Sequence, residues 1–182
     1  MNTTLHFSSE DQTWETPQNL YDKLHSVFQF TLDPCCSSST KKCGMWFTEE
    51  QDGLKQSWKP HTVFMNPPYN KPRKACKPNC KSKVCEANGY HVLKDIPGQS
   101  DWVLKAIQEN TPVVALLPAR PDTAIWQDHI FKQATTICFL KGRLKFGSAE
   151  NAAPFPSAIA VFNKACTKHQ IDVLTTLGRT FN

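Results

Sequence analysis

The sequence predicts an α/β fold built on a mostly parallel sheet, with an antiparallel hairpin at one edge and a small cysteine-rich insertion. Three observations carry that expectation. Short, continuously apolar runs alternate with segments of helical periodicity. The last two apolar runs have no helix-forming segment between them. One stretch, residues 72–99, is polar, basic and without apolar periodicity, and it breaks the rhythm.

Each element has its own signal. Asn19 to Phe28 places Leu20, Leu24, Val27 and Phe28 on one helical face. Phe30-Thr31-Leu32 reads as a short strand stopped by Asp33-Pro34. Met45-Trp46-Phe47 is a second strand. Thr62-Val63-Phe64-Met65 is a third, apolar on both faces and therefore buried. Ser100 is a candidate N-cap for a helix through Glu109, with Trp102, Val103, Ala106 and Ile107 on its apolar side. Pro112 to Leu117 is the clearest buried strand. Asp122 would cap a helix carrying Ile125, Trp126, Ile130 and Phe131. Thr136–Leu140 and Ser157–Phe162 close the series and are expected to pair antiparallel.

A chain of 182 residues, 40% hydrophobic and 20% charged, suits one domain spanning 1–182. It has no apolar run of 18 residues, which excludes a membrane-spanning helix. The start Met1-Asn2-Thr3-Thr4-Leu5-His6 lacks the basic residues and apolar stretch of a secretion signal, so a cytoplasmic location is expected. In that compartment the eight cysteines are expected to be free thiols or metal ligands.

The insertion holds the charge. From Lys71 to Asp95, Lys71, Arg73, Lys74, Lys77, Lys81, Lys83 and Lys94 face only Glu86 and Asp95, which accounts for the whole net charge of +5. A cationic patch on a neutral body is the footprint of contact with a phosphate backbone, although a solvated loop without a partner has the same composition. Cys76, Cys80, Cys85 and His91 follow one another at spacings that suit a tetrahedral zinc site. Cys43 is an alternative fourth ligand, and an unliganded basic loop is the plainer alternative. With few apolar residues the insertion needs some other staple, and a metal would provide one.

Asn66-Pro67-Pro68-Tyr69 directly follows the third strand. Two prolines forbid a helix and force a stiff, extended exit from the sheet. Asn66 is thereby held at the strand's C-terminal edge, where open α/β sheets bind ligands. An adenine amine is a poor nucleophile because its lone pair is delocalised into the ring. A side-chain oxygen and a backbone carbonyl that accept its two N–H bonds would favour the localised form that attacks a methyl donor. An aromatic face such as Tyr69 would hold the base once it had left the helix.

On these residues the chain resembles the phage-type DNA N6-adenine methyltransferases, from about Trp14 to Phe162. Trp14-Glu15-Thr16-Pro17, Phe30-Thr31-Leu32-Asp33-Pro34-Cys35, Asp52-Gly53-Leu54 with Trp58, and Asn66-Pro67-Pro68-Tyr69 carry the first half of the likeness. Leu116-Leu117-Pro118-Ala119-Arg120, Lys141 to Phe146 and Ala153-Pro154-Phe155-Pro156-Ser157 carry the second. The resemblance implies a Rossmann-like methyltransferase sheet, S-adenosylmethionine as cofactor and DNA as partner. It implies that Trp14, Thr16 and Pro17 line the methionine end of the cofactor. Asp33, Pro34 and Cys35 would order the pocket, and Asp52 would lie near the adenosine. It also implies Phe146 as a second stacking face, with Arg143 near the DNA backbone, and Lys71, Arg73 and Lys74 join that contact as part of the basic patch. The turn after the first strand, Asp33 to Ser39, has no glycine, unlike many methyltransferases. Other readings are a methyltransferase acting on cytosine N4, an RNA adenine or a protein glutamine, and a non-catalytic zinc-containing nucleic-acid-binding protein on the same fold.

Overall fold

Helix α1 (Gln18–Phe28) forms where its apolar stripe predicts, burying Leu20, Tyr21, Leu24 and Phe28. Pro17 stands at its N-cap with φ already helical, and Gln29 ends it in the left-handed region. This computed structural model describes residues 14–77, 80, 81, 83, 85 and 91–182. The first residues, on which the secretion reading rests, lie outside the described set, as do Pro78, Asn79, Ser82, Val84 and residues 86–90 of the insertion.

Strands β1 (Leu32–Asp33), β2 (Met45–Trp46), β3 (Val63–Met65) and β4 (Val113–Pro118) follow. Helix α2 (Gln99–Gln108) precedes β4. It starts one residue before Ser100, because Gly98 is the cap and its N–H donates to the Asp101 carboxylate at 2.8 Å. The segment expected as an Asp122-capped helix is π-wound over Ile125–Ile130 and becomes α-helical only at α3 (Phe131–Gln133). The Trp126 indole pins it to the sheet by donating to the Pro118 carbonyl at 3.1 Å. Strands β5 (Ala134–Leu140) and β6 (Ser157–Phe162), helix α4 (Lys168–Leu177) and strand β7 (Gly178–Phe181) complete the fold.

The strand order is β2-β1-β3-β4-β6-β5-β7. The pairings β1·β2, β1·β3 and β3·β4 are parallel, while β4·β6, β5·β6 and β5·β7 are antiparallel. The sheet is therefore half parallel rather than mostly so. The β5–β6 pair is antiparallel as expected, but it is not the edge. Strand β6 inserts beside β4, and the edge belongs to β7, whose four polar-rich residues gave no strand signal.

Alternation along β4 divides the core in two. Val113, Ala115 and Leu117 face α2 and the π-wound turn, packing on Trp102, Val103, Ala106, Trp126 and Ile130. Val114 and Leu116 face the opposite layer, with Leu20 and Leu24 of α1 and Leu174 of α4. The result is a three-layer α/β/α stack. The chain leaves β1 outward to β2 but leaves β3 the other way, to β4. The C-terminal ends of β1 and β3 thus flank a topological switch point, where the diverging connections open a crevice.

Candidate active site

A cleft of about 720 Å³ occupies that switch point, within the range of small-molecule sites. Its walls come from Trp14, Glu15 and Thr16, from Asp33 and residues 35–38 with Thr40 and Lys42, from Thr48, Glu49 and Glu50, and from Phe64 with Asn66, Pro67 and Pro68. Lys94 of the insertion also lines it. Trp14, Thr16, Asp33, Cys35, Asn66, Pro67 and Pro68, all named from sequence, meet there. Pro17, Pro34 and Asp52 do not line the cleft. Pro17 caps α1, and buried Pro34 carries the carbonyl on which Gly53 closes. Asp52 sits in the left-handed region (φ 51°) and pairs with Lys55 at 2.8 Å. The carboxylates on the cleft at that level are Glu49 and Glu50, which follow the end of β2. Their signal was their place after the second parallel strand, where a carboxylate reaches ribose hydroxyls in dinucleotide folds.

Asn66 is held from two sides. Its Nδ2 donates to the Trp14 carbonyl at 2.5 Å and to Thr16 Oγ1 at 3.0 Å. With the amide nitrogen engaged, Oδ1 has a fixed direction, and it accepts from the Tyr69 hydroxyl at 2.6 Å. Tyr69 belongs to a cluster of four aromatic rings. Trp14 stacks on it at 6.4 Å, while Phe155 and Phe146 meet it edge-on at 5.6 and 6.3 Å. Phe146 is buried, and Arg120 lies over Phe155 at 5.8 Å. Phe155 lay in a segment that carries the resemblance, yet nothing in the sequence singled it out as a ring beside Tyr69.

Asp33, at the end of β1, is only 3% exposed. Burial pushes its carboxyl up to about 6, partly opposed by the Lys42 backbone N–H, which donates to it at 3.2 Å. Burial also raises the Cys35 and Tyr69 side chains well above their ordinary ranges, so both remain neutral. A Cβ on Gly53 would stand 2.0 Å from the Pro34 carbonyl oxygen, so glycine is what lets the 48–55 loop close against the end of β1.

The insertion leaves the site directly after Tyr69. Lys71 and Lys74 are exposed, Arg73 is half-buried in a bridge to Ile96, and Lys74 pairs with Asp95 at 2.7 Å. Arg143 is exposed on the loop between β5 and β6, with Nη1 3.4 Å from the Ala153 carbonyl. Cys76, Cys80, Cys85 and His91 converge, their ligand atoms all within 4.8 Å of one another. Cys43 is removed as the alternative ligand: it is buried beside α1, where its sulfur meets the Tyr21 hydroxyl at 3.4 Å. Cys76 Sγ takes hydrogen bonds from its neighbours, chiefly Cys85 and His91, which lower its thiol to about 7.

The family model of DNA N-6-adenine-methyltransferase (Dam) matches residues 2–179. The DNA N-6-adenine-methyltransferase of Haemophilus phage HP1 is 24% identical over 114 residues, which cover 62% of this chain and 66% of that protein. No described helix is long and apolar enough to cross a membrane. With Asn66-Pro67-Pro68-Tyr69 at the switch point of its sheet and the family pattern spanning almost its full length, the chain belongs to the DNA N-6-adenine-methyltransferase (Dam) family.

Proposed function

We propose that this protein methylates the exocyclic N6 of adenines at specific sites in DNA, acting on a base flipped into the cleft and using S-adenosylmethionine as donor. The observation that carries the reading is the doubly anchored Asn66, whose Oδ1 is a pre-aimed acceptor at the mouth of the cleft. S-adenosylmethionine supplies an electrophilic methyl group on a sulfonium centre. The protein's part is positioning and electrostatics. Asn66 Oδ1 and a backbone carbonyl of the Pro67-Pro68 turn accept the two amine hydrogens and localise the nitrogen lone pair. Asparagine is a neutral acceptor, so no proton has to leave before attack. As the N–CH3 bond forms the S–CH3 bond breaks, S-adenosylhomocysteine is the leaving group, and the methylated nitrogen then sheds one proton to solvent. Trp14 and Thr16 face the methionine part of the cofactor, and Asp33, Cys35 and Glu49 or Glu50 face the rest.

Tyr69 stacks on the flipped base. In its present position its hydroxyl occupies Asn66 Oδ1 and its ring is edge-on to Phe146, so base entry turns Tyr69 aside and hands the acceptor to the amine. Phe146 and Phe155 then form the apolar back wall. Lys71, Arg73, Lys74 and Arg143 meet the DNA backbone. The Cys76, Cys80, Cys85 and His91 group takes a structural zinc ion and makes the insertion a rigid lobe. The relative's phage origin fits action on DNA in the cytoplasm of a bacterial host.

Incubation with DNA and labelled S-adenosylmethionine, followed by nucleoside analysis, tests the reading. N6-methyladenine is the expected product, and Asn66→Ala should reduce its formation by about a hundredfold or more. No N6-methyladenine in any DNA, with the variant indistinguishable from the parent, would sink it.

A further inference from the structure

The insertion is a ribbon whose two arms share a ladder of hydrogen bonds. At its base the Asn70 carbonyl accepts from the Gln99 N–H at 2.9 Å, and Asn70 Nδ2 donates to the Pro97 carbonyl at 3.3 Å. Arg73 and Ile96 exchange backbone bonds of 2.9 and 2.8 Å, and the Ala75 N–H donates to the Asp95 carboxylate at 2.8 Å. Nearest the tip, the Cys76 N–H donates to the Val92 carbonyl at 2.7 Å. The base is the catalytic loop, and the tip is the Cys/His group.

The tip has the dimensions of a metal site. Cys76 and Cys85 sulfurs are 3.4 Å apart and those of Cys80 and Cys85 are 3.8 Å apart. A tetrahedral zinc with bonds of about 2.3 Å separates its sulfurs by about 3.8 Å. The Val92 N–H points at Cys76 Sγ from 3.3 Å, the outer hydrogen bond that steadies a thiolate ligand. Among the described residues, the ribbon beyond this tip has its backbone ladder but little apolar packing to hold it. Val92 is buried, but Leu93 is 91% exposed and Ile96 36%. A two-stranded ribbon without a core is marginal in water, so the metal supplies the closure.

One residue links this ribbon to the chemistry. Lys94, three positions after His91, lines the cleft and pairs at 3.7 Å with Glu49, which also lines it. Resting on the cofactor reading above, we propose that the metal group is a clasp on the cofactor cleft. Zinc at the tip fixes the returning arm, the arm holds Lys94 in the cleft wall, and affinity for S-adenosyl ligands rises. The exposed Lys94–Glu49 pair is weak by itself, so the coupling comes mainly from the order that the metal imposes on the arm.

The test titrates S-adenosylhomocysteine into zinc-loaded and chelator-stripped protein by calorimetry, for the parent and for Lys94→Ala. Metal analysis and cobalt substitution, read through thiolate charge-transfer bands, report the site independently. We expect one metal per chain and about tenfold weaker binding by the stripped parent. Lys94→Ala should keep its metal, bind about fivefold more weakly when loaded, and respond less than the parent to stripping. Absence of stoichiometric metal, or equal affinity of loaded and stripped parent, overturns the clasp while leaving the cofactor reading intact. A metal-loaded parent that binds no S-adenosylhomocysteine overturns both. If stripping unfolds the sheet, seen as loss of the circular-dichroism signal, the loaded Lys94→Ala comparison decides: unchanged affinity overturns the clasp and the expected weakening supports it.

Discussion

Tyr69 has two separable parts. Its ring sits among Trp14, Phe146 and Phe155, and its hydroxyl holds Asn66 Oδ1. Tyr69→Phe removes only the hydroxyl and is expected to keep methylation within about threefold of the parent. Tyr69→Ala also removes the stacking face, worth about 1–3 kcal/mol for a base on an aromatic ring, and should lose about ten- to a hundredfold. Single-turnover rates on one DNA substrate distinguish the two outcomes. Asp33 sets a second expectation. Its folded carboxyl titrates near 6, above its ordinary 3.8, because burial disfavours the charged form. The folded chain therefore holds this proton more tightly than the unfolded chain does. Its contribution to stability is largest below about pH 4 and falls as pH rises through 6, so near neutrality the ionised group costs roughly 2–3 kcal/mol. Asp33→Asn should raise the melting temperature at pH 7, flatten the dependence between pH 4 and 6, and weaken S-adenosylhomocysteine binding. Thermal scans across that range, with one calorimetric titration, check all three.

At the level of elements, close approach of backbones decides what can change. Gly53→Ala drives a methyl group into the Pro34 carbonyl, so the 48–55 loop must move off β1 and the cleft must widen. Lower stability and weaker cofactor binding are expected together, read by melting and titration. Asn163 holds the end of α2 to the start of β4. Its backbone is left-handed (φ 64°), and its amide faces the carbonyls of Ala106, Glu109 and Thr111. Asn163→Ala is expected to cost about 2 kcal/mol in chemical denaturation. Elements that bury both faces were plain in the sequence, because a short, continuous apolar run such as Val113–Leu117 fits little besides a strand covered on both sides. Strand β7 was not, because an edge strand of alternating exposure needs no apolar run. The π winding of Ile125–Ile130 was also hidden, since it changes backbone bonding while leaving the apolar spacing nearly helical. Asn66, Thr16 and Asp33, named in the sequence through their motifs, come together on the cleft. Asp52 was named from the resemblance alone; that Glu49 and Glu50 line the cleft and Asp52 does not was hidden, because spacing along a loop does not say which of three nearby carboxylates turns inward.

For the whole molecule, the parallel half of the sheet supplies the cleft, while Phe146 and Phe155 come from the connection between the antiparallel strands β5 and β6. The base site proposed above would lie on the seam between the halves. The net charge of +5 resides in the lobe, so DNA affinity should fall steeply with salt, and Lys71→Ala with Lys74→Ala should flatten that slope by about one to two units in a log–log plot of affinity against salt. The lobe begins and ends at one point. A Cβ on Gly98 would stand 2.2 Å from the Pro72 nitrogen, so the two arms touch where they join the sheet. A segment whose ends already meet is a cassette: the rest of the chain does not register its length, because closing a longer loop adds only about 0.6 kcal/mol per doubling. On the readings proposed above, lobes of different size and chemistry could be exchanged at this junction without disturbing the sheet or Asn66, at the cost of the contact that Lys94 makes in the cleft, and the choice of DNA sequence would diversify separately from the methyl transfer itself.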